Sequence, residues 1–104
     1  MISIEGGGSL SFSSMGLFRT DEPWTHPVIT VDSYELIYVL ENDVLIYEGD
    51  ARYRVAPGEL LMLSPHREHG GYGEKNRGAT SFYWLHFYTP DITAWQLQAQ
   101  RKMP

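Results

Sequence analysis

Apolar and polar residues alternate with a period of two along much of this chain, the pattern of strands with one covered face. Leu10 and Phe12 alternate with serines, Met15 and Leu17 follow after a slip of one residue, and Val28-Ile29-Thr30-Val31 is a β-branched run. These predict short strands joined through Asp21-Glu22-Pro23. The centre is denser, because residues 34–40, 44–48, 53–55 and 60–63 are four β-rich apolar runs with turn chemistry between each pair. Glu41-Asn42 falls where a tight hairpin needs a positive φ, which Asn tolerates. Gly49-Asp50 is a second two-residue turn, and Pro57-Gly58 has the residue order of a type II turn. The stretch 64–78 is polar and glycine-rich and predicts an irregular crossing. Residues 80–88, Thr-Ser-Phe-Tyr-Trp-Leu-His-Phe-Tyr, are apolar on both faces and suit a strand covered on both sides.

Both ends differ from this centre. Residues 1–9 include Gly6-Gly7-Gly8-Ser9 and predict a loose arm before a barrel spanning 10–88. Thr89-Pro90-Asp91 is a helix start, with a capping hydroxyl, Pro at the first helical position and an acid in the first turn. Ile92, Trp95 and Ala99 then fall on one helical face. A helix over 89–104 has about three turns, too few to stand without a docking surface, so this segment reads as the start of a longer connection.

Many short strands, Pro/Gly turns and a single terminal helix predict an all-β jelly-roll barrel in which alternate side chains line the interior. With 104 residues the chain suits one core. Hydrophobic residues make up 42% and charged ones 20%, ordinary for a folded protein. Eight Lys and Arg against thirteen Asp and Glu give a formal charge of -5, which disfavours direct nucleic-acid binding by this segment. There is no cysteine, so disulfides and thiolate metal sites are excluded, which fits a cytoplasmic setting. No apolar run is long enough to span a membrane.

The polar residues that can reach a barrel interior carry any chemistry. Glu35 lies on the same strand face as Ile37 and Val39; facing inward, its carboxylate needs a partner, for which a ligand hydroxyl, Arg19 or His26 can serve. His26, Glu35, His69 and His86 include the ingredients of a His/carboxylate metal site for zinc, iron or manganese, with His26, Glu35 and His69 the metal-ligand set. Taken singly, each histidine also reads as structural, His69 in a loop and His86 at a barrel edge. Trp24, Tyr38, Tyr72, Tyr83 and Trp84 could stack on a sugar ring, or simply pack. Arg52 and Arg54 read as a solvated strand face. No Gly-x-Ser-x-Gly, phosphate-cradling loop or Cys nucleophile is present, so nothing argues for catalysis and no cofactor is implied.

Four motifs follow in order: residues 34–41 (Tyr-Glu-Leu-Ile-Tyr-Val-Leu-Glu), residues 53–61 (Tyr-Arg-Val-Ala-Pro-Gly-Glu-Leu-Leu), Ser64-Pro65 with His69, and the Phe-Tyr-Trp-Leu-His-Phe strand. Together with Trp24-Thr25-His26-Pro27 they resemble the N-terminal cupin of AraC-type bacterial transcription regulators over roughly residues 10–100. The resemblance implies a double-stranded β-helix that binds a small-molecule effector, often a carbohydrate; the residues expected from the sequence to reach that ligand are Trp24, His26, Glu35, Tyr38, His69, Tyr72, Tyr83, Trp84 and His86. It further implies a homodimer, with promoter DNA bound by a C-terminal domain beyond this segment. His26 stands where the family's arabinose sensor has an arginine, and Leu85 where it has a tryptophan, so the implied chemistry differs from arabinose recognition. Two alternatives stand beside the sensor: a metal-dependent cupin enzyme, and a barrel filled by its own side chains that only dimerises.

Overall fold

A computed structural model describes residues 11–75, 78–89 and 102–103. The described residues form eight strands: β1 (Ser11–Thr20), β2 (Tyr34–Glu41), β3 (Val44–Glu48), β4 (Ala51–Val55), β5 (Leu60–Leu63), β6 (His69–Gly71), β7 (Thr80–Tyr88) and β8 (Lys102–Met103). They build two sheets, one of five strands in the order β1-β7-β2-β5-β8 and one of three in the order β4-β3-β6. The two sheets face each other as the walls of a jelly roll.

Alternation decides what lies between them. Ile37 and Val39 of β2, Val44 and Ile46 of β3, Val55 of β4, Leu61 and Leu63 of β5 and Phe82 of β7 form one fully buried cluster, with Phe18, Trp24, Tyr53 and Trp84 packed against it. Register ties these together: Ile37 faces Leu61 on one side and Trp84 on the other, and Val44 faces Val55. The hairpin between β2 and β3 turns at Asn42 with φ 66°, and Gly58 (φ 86°) supplies the positive φ that Pro57-Gly58 predicts.

Four expectations need correction. The slip between Phe12 and Met15 is not a strand break: β1 runs on through Ser11–Thr20 against β7, with a bulge between Phe12 and Ser14 absorbing the extra residue. Residues 28–31 form no strand; Ile29 makes one isolated bridge to His69. The polar crossing 64–78 does hold a strand, β6, which pairs with β3 and places His69 opposite Glu48. His69 is therefore a strand residue, not a loop one. Strand β7 is also less covered than its composition implies, since Tyr83 on its outer face is half exposed. The expected N-terminal arm lies outside the described residues, as does the expected helix, apart from Lys102–Met103, which are extended and pair with β5.

Candidate functional site

One end of the barrel interior is polar. Glu35 points inward from the start of β2, only 6% exposed, and Glu48 and His69 are fully buried on the opposing sheet. Cross-strand pairing sets Glu35 beside His86 of β7 and Leu63 of β5. One carboxylate oxygen, Glu35 Oε1, sits 3.5 Å from His69 Nε2 and 3.6 Å from His86 Nε2. Both separations are longer than a good hydrogen bond, so the carboxylate keeps acceptor capacity for a third group. Neither ring nitrogen of His69 makes a hydrogen bond among the described residues. His86 is oriented by Ser33, whose Oγ shares a 2.8 Å hydrogen bond with His86 Nδ1. Glu48 Oε2 accepts the Ser64 amide at 2.6 Å, which fixes the turn out of β5.

Above Glu35 opens a cavity of about 260 Å³, lined by Phe18, Trp24, Pro27, Ile29, Phe82 and Trp84 together with His26, Glu35 and His86. Its walls are aromatic. Phe18, Trp24 and Phe82 cluster with centroid separations of 4.6 to 5.6 Å, and Trp84 lies edge-on to His86 at 5.5 Å. Gly16 of β1 stands opposite Trp84, and a Cβ built on it would lie 2.6 Å from the indole Cζ2, so the missing side chain is what lets the ring lie back against β1.

The rim is the segment carrying Trp24 to Ile29. It is seated on β6 by reciprocal backbone bonds between Ile29 and His69 of 2.9 and 3.0 Å and by the Gly71 amide donating to His26 O at 2.9 Å. Gly70 and Gly71 permit this seat, because a Cβ at either would run into Val28, or into Thr25 and the His26 backbone. His26 Nδ1 donates to the Pro27 carbonyl at 2.7 Å, leaving Nε2 of the neutral ring as an acceptor. The His26 ring lies 5.2 Å from that of His69. Burial pushes the His26 pKa below 6.5, with repulsion from His69 acting the same way and the Pro27 bond and Glu35 opposing.

Of the residues expected to form the site, Trp24, His26, Glu35, Trp84 and His86 line this cavity, and His69 closes it from behind Glu35. Tyr38 and Tyr83 do not join them. They are cross-strand partners on the outer face of the five-stranded sheet, because both fall on the opposite alternation from Glu35 and Trp84. Tyr72 donates to the Tyr53 carbonyl at 3.3 Å beneath the Arg52 guanidinium, and it shares with Trp24 and His26 only a recess of about 10 Å³. Arg19 does not partner Glu35 either; it lies near Asp21 and Glu41 on the surface. Sequence reasoning passed over Phe18, Phe82, Ser33 and Glu48. Glu48 was findable by the argument used for Glu35, since it shares a face with Val44 and Ile46.

A metal centre, as in metal-binding cupins, would need its donors gathered at one point. No three His, Asp or Glu side chains among the described residues are grouped closely enough to hold an ion. The set His26, Glu35 and His69 does not fit a metal centre.

The model of the AraC-like ligand binding domain matches residues 12–103. The chain belongs to that family. Among curated proteins it is 41% identical over 73 residues to the uncharacterized HTH-type transcriptional regulator YisR of Bacillus subtilis (strain 168), a match covering 69% of this chain and 24% of that protein. The chain thus spans about a quarter of that relative's length. Solved structures confirm the cupin fold of this AraC-like domain. A cupin 2 conserved barrel domain protein from Rhodopseudomonas palustris superposes with TM-score 0.60 at 13% identity, over 91% of this chain and 84% of that one. A predicted oxalate decarboxylase from Thermotoga maritima gives 0.62 at 8% identity, over 73% and 66%.

Proposed function

We propose that this AraC-like domain is the effector-sensing, non-catalytic part of a transcription regulator, and that its cavity takes a small hydroxyl-bearing molecule, a carbohydrate fitting best. The observation that carries this reading is the pairing of aromatic walls with a buried carboxylate of unsatisfied capacity. A pyranose presents an apolar face to Trp24 or Trp84 and donates its hydroxyls to Glu35 Oε1 and His26 Nε2. No Lys or Arg lines the cavity, so an anionic ligand gains nothing to offset the repulsion of Glu35. At about 260 Å³ the space suits one sugar ring rather than an oligosaccharide.

The same strands carry the site and the frame. Glu35 sits on β2 and Phe82, Trp84 and His86 on β7, so a ligand bridging them biases how these two strands pack. Binding shifts the regulator between states only as far as affinity differs between them, and promoter DNA is then bound by a part of the regulator outside this segment. Calorimetric titration against a panel of monosaccharides and polyols tests the reading. At least one should bind, and Glu35→Gln should weaken it about tenfold or more, the loss expected for a hydrogen bond to a charged acceptor, without unfolding the chain. Silence across the panel, with nothing co-purifying in the cavity, overturns it.

A further inference from the structure

The carboxylate at the base of the cavity has no closed ion pair. Among the described residues, the groups beside Glu35 Oε1 that can carry positive charge are His69 and His86, whose Nε2 atoms stand 3.5 and 3.6 Å away. An ionised donor on a carboxylate closes to about 2.7–2.9 Å, so neither ring is seated on Glu35 as an imidazolium would be. The arginines are engaged elsewhere: Arg19 beside Asp21 and Glu41, Arg54 on Asp43 at 2.8 Å, and Arg52 over the Tyr72 ring. Glu35 is only 6% exposed, so water does little for its charge. A buried carboxylate in that condition is costly until a cation reaches it.

The walls favour the same sign. Phe18, Trp24, Phe82 and Trp84 line the space, and the face of each ring is the negative side of its quadrupole, with indole attracting a cation best. Both indoles lie beside the histidines of the site, the Trp24 ring 5.6 Å from His26 and the Trp84 ring 5.5 Å from His86, each edge-on. With His26 Nδ1 bonded to the Pro27 carbonyl, the neutral ring keeps Nε2 as an acceptor. Glu35 and His26 thus offer acceptors among π faces. An ammonium, with three donors and no acceptor, is the group that matches both.

We propose that the effector carries a protonated amine on its hydroxylated frame, as an amino sugar or amino polyol does, and that this ammonium donates to Glu35 Oε1 within the aromatic walls. The inference rests on the effector reading above and narrows its ligand class. Charge gives the amine two interactions that a hydroxyl lacks, an ion pair with a poorly hydrated carboxylate and cation–π attraction to Trp24 and Trp84. The formal charge of -5 on the chain also draws a cation toward the cavity mouth.

Calorimetric titration with matched pairs that differ in charge tests this: glucamine against sorbitol, and aminocyclohexanol against cyclohexanediol, at neutral pH, where both amines are protonated. Each amine should bind at least roughly tenfold more tightly than its alcohol. Glu35→Gln should abolish that preference, and Trp84→Leu should cost each amine more than its alcohol. Should Glu35→Gln fail to fold, Trp84→Leu decides. Alcohols that bind as tightly as their amines, a preference that survives Glu35→Gln, or equal losses for amine and alcohol in Trp84→Leu overturn this inference and leave the effector reading standing. Silence from both amines also overturns it, whereas the effector reading falls only if the monosaccharides and polyols are silent too.

Discussion

The two ends of the barrel are made by the same strands and have opposite chemistry. At one end Val39, Val44, Val55 and Leu61 belong to one buried apolar cluster. At the other, β2 carries Glu35 as its second residue, β3 finishes in Glu48 and β5 runs out into Ser64, all inward and all buried. The alternation is continuous from end to end; only the residues occupying it change. Apolar burial at the first end supplies folding free energy, at about 0.8 kcal/mol per CH₂ group. The second end contributes less, because desolvated carboxylates and imidazoles are offset only by their hydrogen bonds. The candidate site sits where packing has been given up, as expected when a site and a core share one frame.

Three changes probe that division, from the largest effect to the smallest. Ile46→Ala, in the dry half, should cost about 2 to 5 kcal/mol in denaturant unfolding, since a close-packed site collapses poorly around a void; a smaller loss would mean that the dry end is not the stabilising one. Gly16→Ala should cost about 1 to 3 kcal/mol by overpacking against Trp84. It should also shift tryptophan emission as the indole is driven into the cavity, and an unchanged spectrum would show that β1 yields instead of the ring. The pH dependence of His26 is the smallest. Its folded pKa lies below 6.5 because burial disfavours the charged ring, so the unfolded chain binds more protons in the window beneath that value. Stability should therefore fall as pH drops below 6.5 and through the folded pKa, and His26→Gln should flatten that part of a melting-temperature profile.

How far the sequence foretold this follows from where each signal is local. Strands β3, β5 and β7 were legible to the residue, because β-branched and aromatic runs bounded by turns need no distant information. Strand β6 was not, for His-Gly-Gly has little strand propensity and is extended only because β3 offers it an edge. The β-branched run 28–31 failed in the opposite sense, having propensity but only a single bridge partner. Glu35 could be read as inward from alternation with Ile37 and Val39. His69 and His86 could be grouped with it only by residue type, not as its direct neighbours, since they arrive from strands far along the chain. Tyr38 and Tyr83 were chosen for their rings, and side-chain type says nothing of which face a strand presents.

The glycine pair of β6 bears on how a ligand is captured. Because Thr25, His26 and Val28 rest directly on Gly70 and Gly71, the mouth of the cavity is part of the wall and holds its shape before anything arrives. A guest meeting a preformed opening forfeits little chain entropy in being held, so a handful of contacts can suffice and discrimination falls to rigid shape.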